Sequence, residues 1–418
     1  MNNHLKFLIL LLGIFLSFII SIMVWNSISF PYSHYERIDG FYFNNNLSHH
    51  NNIIKFVSFV IIPIIFFYIC LYKLYYQNNI LAIFFKPFKK DNAYVNRLPN
   101  LILFSFLLIV LVNFLSKDIV IRDVDYFHEG LTLSAAFTSL QTGELWGSSF
   151  LSNSLFSDIY SAKIAWSIFD TVSIGSYRFF HEILRLVTEV ILIFFIYKLS
   201  FVYDFNKKIQ NIFLISILFL SISINRDLTE IFYPFRYRDI PIFILMILSI
   251  DYLKFNKSIY LVPFLMGFLS IYSLFWSLDR GFYYLISLFF LICISFFQKR
   301  YSHVGVILLG IVISSLSVYL FFGFSEISQF FYNSKIILKN FDLYAGSSYP
   351  TMFDFKNEHS SRGTLNLYII VLNGFFITYF LINKNLSLKN NSKIIIFFIF
   401  LVSCLIYKSA LSVPDSYH

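Results

Sequence analysis

The chain has 418 residues, of which 58% are hydrophobic and only 13% charged, with a formal net charge of +9. A soluble domain averages roughly 25% charged residues, so this composition, with a mean hydropathy of +0.70, excludes an ordinary soluble globular protein. Cys70, Cys293 and Cys404 all fall inside apolar runs, as buried thiols do, and indicate neither a disulfide framework nor a zinc site.

Apolar runs of about 18 or more residues recur, each long enough to cross a hydrocarbon core of about 30 Å. In lipid the backbone must satisfy its own polar groups, so such runs are helices. The first, within "MNNHLKFLILLLGIFLSFIISIMVW", is too long for a signal peptide and lacks a small-residue cleavage site. It is read as a span. In chain order the expected spans are 5–25, 52–74, 99–116, 182–203, 210–224, 240–253, 259–276, 282–298, 303–323, 365–383 and 393–411. The expected fold is therefore all-α: a polytopic transmembrane helical bundle of about eleven spans, forming one transmembrane domain over 1–418. The segments at 210–224 and 240–253 are short enough to be a re-entrant pair. Residues 126–145 are helix-compatible and amphipathic, and read as a helix lying along the outer surface after the third span.

Sidedness follows from lysine and arginine in short connections. With the N-terminus cytoplasmic, every short inner connection is basic, and the inner residues are mostly lysines, such as Lys73, Lys198, Lys254, Lys299 and Lys393. Nine of the 11 arginines fall outside, among them Arg178, Arg185, Arg236, Arg238, Arg280 and Arg362. Lysine inside needs only charge. Arginine outside presents a planar fork that grips phosphate or carboxylate through two bonds. Snorkelling at the interface, or pairing with nearby acids, is the plainer role for any single arginine.

The clusters that look chemical all share the outer face. "IRDVDYFHEG" (121–130) follows the third span. Asp123 and Asp125 form D-x-D, a spacing at which two carboxylates share a divalent cation or hold one charged base beside a partner. Glu129 is the third candidate acid, with His128 beside it as a substrate contact. H-E-x-x-H would need histidine where Thr132 stands, so this is no zinc-protease motif. The plainer reading is that these acids solvate and cap the following helix. Further along, Glu182, Arg185 and Glu189 share one helical face, as an interfacial pair or as a functional group inside the bundle. "YRD" (237–239) and "LDRG" (278–281) each set an arginine beside an aspartate. Asp239 and Asp279 can simply neutralise Arg238 and Arg280, or can orient them to grip a phosphate.

An outer loop with a D-x-D motif, an amphipathic juxtamembrane stretch after it and about eleven spans together resemble the GT-C-type integral membrane glycosyltransferases. The usual motif follows the first span, whereas two more spans precede it here. Many members add a C-terminal outer domain, whereas this chain stops at His418 just after a span, which reads as truncation. The resemblance implies a polyprenyl-phosphate sugar donor, a glycan or lipid acceptor, membrane lipids as surroundings and no nucleic acid. It implies Asp123 or Asp125 as the catalytic carboxylate or as ligands of a divalent cation (Mg or Mn), and outer arginines at the donor phosphate. The expected setting is cell-envelope polysaccharide synthesis at a bacterial inner membrane, with the active face extracytoplasmic. Two alternatives remain open: a polymerase or ligase of O-antigen type, and a transporter or flippase of lipid-linked sugars without chemistry.

Overall fold

A computed structural model describes residues 3–27, 49–76, 97–116, 128–146, 151, 154–202, 207–223, 237–255, 260–339, 358–382 and 390–412. Among these the chain is all-α, with no strand. The helices are α1 (Asn3–Ser27), α2 (His49–Leu71), α3 (Arg97–Ser116), α4 (His128–Thr142), α5 (Ser161–Phe169), α6 (Ile174–Leu199), α7 (Lys207–Ser223), α8 (Ile240–Ile250), α9 (Leu261–Trp276), α10 (Leu278–Phe297), α11 (Tyr301–Lys339), α12 (Glu358–Ile382) and α13 (Asn390–Ser412). π-Helical turns extend α2 at Tyr72–Tyr76, precede α5 at Phe156–Tyr160 and extend α8 at Asp251–Phe255. Among the described residues, five stretches are long and apolar enough to cross a membrane: His4–Val24, Ile54–Leu74, Leu278–Phe297, Tyr301–Lys339 and Leu365–Ile382. Shorter apolar stretches cover Pro99–Leu115, Lys208–Phe219, Leu261–Trp276 and Asn390–Ile406.

The chain forms two compact units, Met1–Lys86 with Ile336–His418 and Pro87–Lys335. In the first, α2 is central and touches α1, α12 and α13. Its core joins Phe56, Phe59 and Val60 of α2 to Leu367, Val371 and Phe375 of α12, with Phe18 of α1 against them. Many outward side chains are large and apolar, Phe7, Phe15 and Phe376 among them. That is the pattern of a surface facing hydrocarbon and not water.

In the second unit, α6 packs on α3, α5, α7 and α8, while α8, α9 and α10 pack on one another. Small residues allow a close approach between α9 and α11. A Cβ on Gly310 would lie 2.5 Å from the Phe264 carbonyl oxygen, and one on Gly267 would run into the Ile307 backbone. The second core gathers Trp146, Phe275, Val318 and Phe330. The carboxylate of Glu326 accepts from the backbone nitrogens of Leu145 and Trp146, at 3.2 and 3.0 Å, so α11 holds the turn that follows α4. α11 reaches Glu326 only after a break at Gly323, whose φ of 74° suits glycine.

α4 at His128–Thr142 lies within the amphipathic stretch expected at 126–145. Its buried side is Thr132, Ala135, Ala136 and Ser139, while Leu131, Phe137 and Leu140 are exposed. The burial pattern thus reverses that of a helix on a soluble protein, with small residues inward and large apolar ones outward.

Candidate functional site

The charged groups of the second unit that lie near the starts of α4, α6, α8 and α10 form one layer. α6 begins at Ser173, whose side chain accepts from the Ser176 backbone nitrogen at 3.1 Å, a conventional N-cap. α8 begins behind a 3-10 turn, Tyr237–Asp239, with Pro241 in its first turn. α10 begins after Ser277, with Asp279 in its first turn, where the helix dipole favours a negative charge.

Between α8 and α10 the ionic pairs cross over. Arg238 reaches Asp279 at 3.1 Å and donates through Nε to Ser277 Oγ at 3.2 Å. Arg280 reaches Asp239 at 2.5 Å and Asp279 at 3.1 Å. Ser277 Oγ also donates to Asp279 at 2.7 Å. Neighbouring residues in the sequence therefore do not simply pair within "YRD" and "LDRG". Arg238 takes the aspartate of the other helix, because its own neighbour, Asp239, is buried toward Arg280. Asp239 is 7% exposed, against 35% for Asp279. The two partners described for Arg238, through Nε and Nη2, leave its Nη1 donors for a ligand.

An aromatic layer joins this quartet to α6. Trp276 Nε1 donates to the Tyr237 carbonyl at 2.9 Å, and Phe156 stacks on Trp276 at 3.7 Å. The Tyr237 ring meets His181 edge-on at 4.9 Å, and Tyr177 lies 4.3 Å from His181 on its other side. Nε2 of His181 is buried with no hydrogen-bond partner. Burial lowers the imidazole to about 4, although Glu129 pulls it upward. Burial also raises the Tyr177 phenol, with Tyr237 adding to the effect. Arg178, one turn from His181, grips both oxygens of Glu129, each at 2.7 Å. Asp158, buried in the π turn before α5, lies close enough to Tyr177 to influence it.

The residues singled out from sequence are thus divided. Arg238, Asp239, Asp279 and Arg280 come together, and Glu129 with Arg178 joins them through the Tyr177–His181–Tyr237 layer. Glu129 is held through both of its oxygens by Arg178. Arg185 pairs within its own helix, with Glu182 at 2.9 Å and Glu189 at 3.7 Å, and Glu189 is buried. Asp123, Asp125 and Arg236 lie outside the described residues. His128 and Arg362 are described only as positions on α4 and α12. Asp125 precedes the first residue of α4 by three positions. Among the described residues no group of three His, Cys, Asp or Glu could hold a metal ion. The three cysteines are free and half-buried.

Sequence reasoning missed Tyr177, His181, Tyr237 and Asp158. One signal was available: His181 is four residues before Arg185 and three after Arg178, a helical spacing that puts it among charged groups. Compared with known family models, curated proteins and solved structures, the chain matches none.

Proposed function

We propose that the chain is a membrane glycosyltransferase. It moves a sugar from a polyprenyl-phosphate-linked donor to a glycan or lipid acceptor at the extracytoplasmic face, inverting the anomeric centre. The reading keeps eleven membrane crossings and an inner N-terminus. The observation that carries it is the layer just described: three arginines held by three carboxylates at one end of the second unit. That layer adjoins the helix that directly follows the D-x-D loop. Arg238, with donors to spare and 27% exposure, is the arginine best disposed to take the phosphate. Asp279 and Ser277 fix its fork. Asp123 or Asp125 takes the proton from the acceptor hydroxyl as that oxygen attacks the anomeric carbon, or ligates a divalent cation. The lipid phosphate leaves with the bonding electrons, and arginine stabilises its charge. Glu129, engaged by Arg178, positions the start of α4.

The test is sugar transfer against donor concentration in membranes holding equal amounts of folded protein. Asp123→Asn or Asp125→Asn is expected to lower turnover by about 10²-fold or more. Arg238→Lys keeps the charge but loses the fork, and is expected to weaken donor use by about 1.5–3 kcal/mol. Normal transfer by both asparagine variants would remove the loop from the mechanism. The Glu182–Arg185–Glu189 group, with its buried acid on α6, favours a second reading as a transporter of lipid-linked sugars. That reading gains if Arg185→Gln abolishes sugar movement while the loop variants do not.

A further inference from the structure

The other end of the second unit carries cations that the proposed reaction does not use. Three connections meet there: the end of α6, the π turn Asp251–Phe255, and the cap of α10 leading into α11. By sequence, the stretches 198–208, 251–257 and 298–303 hold seven lysines and arginines against two aspartates. Among the described residues, Lys198, Lys254 and Arg300 are brought together by the π turn. Lys198 pairs with Asp251 at 2.5 Å. The buried Lys254 donates to the Val202 carbonyl at 3.4 Å. The Arg300 guanidinium lies over the Tyr252 ring at 5.4 Å, and the Tyr252 hydroxyl bonds to Ser295 at 3.0 Å and to His303 Nδ1 at 3.2 Å.

Gln298 caps α10 beside Lys299 and Arg300. It is 8% exposed, and both its amide oxygen and its amide nitrogen are buried without a hydrogen-bond partner. A buried amide left unpaired is unfavourable, and it is satisfied by a ligand offering one acceptor and one donor. A phosphate oxygen is the first and a headgroup hydroxyl the second. Lys299 is exposed next to it. Phe296, Phe297 and Tyr301 flank the cap and are more than half exposed, an apolar surface for an acyl chain. Basic pockets between helices at a membrane surface suit anionic headgroups.

We infer that this end binds a phosphate ester with a neighbouring hydroxyl, the chemistry of an anionic phospholipid such as phosphatidylglycerol. Lys299 and Arg300 meet the phosphate charge, and Gln298 meets a phosphate oxygen and the hydroxyl. A soluble phosphate ester has the same chemistry. The test therefore uses the full chain in neutral detergent, titrated separately with phosphatidylglycerol, phosphatidic acid, phosphatidylcholine and glycerol 3-phosphate, with bound ligand read by native mass spectrometry. Phosphatidylglycerol is expected to bind at about tenfold lower concentration than phosphatidylcholine. Lys299→Gln and Arg300→Gln are each expected to weaken it about threefold or more. Gln298→Leu should erase its advantage over phosphatidic acid, which lacks the headgroup hydroxyl. Displacement of the lipid by millimolar glycerol 3-phosphate would keep the site and assign it to a soluble ester. Equal binding of phosphatidylglycerol and phosphatidylcholine overturns the inference. So does undiminished binding by Lys299→Gln, an exposed position.

Discussion

At one end of the second unit, Arg178, Arg238 and Arg280 meet Glu129, Asp239 and Asp279. At the other end, about 30 Å along α6 from Arg178 to Lys198, lysine dominates and acids are few. The first end is balanced and cross-linked between helices. The second is in surplus by sequence, with Lys198–Asp251 as a pair, Lys254 on the Val202 carbonyl and Arg300 over the Tyr252 ring. The contrast shows two uses of a cation beside hydrocarbon. Arginine with a matched carboxylate fixes geometry. Lysine in excess leaves more cations than acids in these stretches of the sequence.

The comparison breaks outright if the two ends do not face opposite sides. In a chain whose native cysteines are replaced by serine, an impermeant thiol reagent applied to intact cells is expected to label Thr171→Cys and spare Lys299→Cys. The reverse pattern would put the arginine layer in the cytoplasm.

The next largest effect is on stability. Arg280→Leu leaves Asp239 buried beside an apolar side chain, a loss of about 3–5 kcal/mol when one partner of a buried pair is removed. Thermal unfolding of the detergent-solubilised protein reads it. A change within about 0.5 kcal/mol would show that the crossed pairs fix nothing.

The arginine end also has a pH signature. His181 is held neutral down to about 4, whereas an unfolded histidine protonates near 6.5. Below pH 6.5 the unfolded chain therefore binds the extra proton first, and stability falls as pH drops from about 6.5 toward 4. Expected is a loss on the order of 2–3 kcal/mol across that window, from about 1.4 kcal/mol per unit. His181→Phe should flatten this part of the profile, and an unchanged slope would assign it to other groups.

The smallest effect belongs to the lysine end. Lys198→Met removes a partly buried pair worth about 1 kcal/mol or less. A loss as large as that of Arg280→Leu would erase the distinction between the ends.

The expected apolar segments fall on helices over their described residues, but among the described residues five stretches are long and apolar enough to cross a membrane and four apolar helices are shorter. The segments 182–203 and 240–253 are in neither group, so the helices were legible and the count of eleven crossings was not. The expected end at 323 falls on Gly323, where the helical backbone breaks. Its resumption toward Lys339 was not legible, since 324–339 mixes Ser, Glu and Asn with aromatics. α5 and its π turn, short and flanked by serines, were missed for the same reason. At the candidate site, composition exposed the arginines and their acids. Partner choice did not show, because adjacency in "YRD" suggests a local pair, while the selection of Asp279 depends on how α8 and α10 pack. His181 was overlooked because a lone histidine on a helix carries no pattern of its own.

The crossed pairs also bear on how the chain is made. The partners in each are 41 residues apart. At about 5–20 residues per second of synthesis, Arg238 and Asp239 emerge roughly 2–8 s before the helix that will receive them. During that interval each has the other, one peptide bond away, as its nearest counter-charge. The adjacency that misleads a reader of the sequence thus gives the nascent helix a provisional neutral end, exchanged for the lasting partners once α10 arrives.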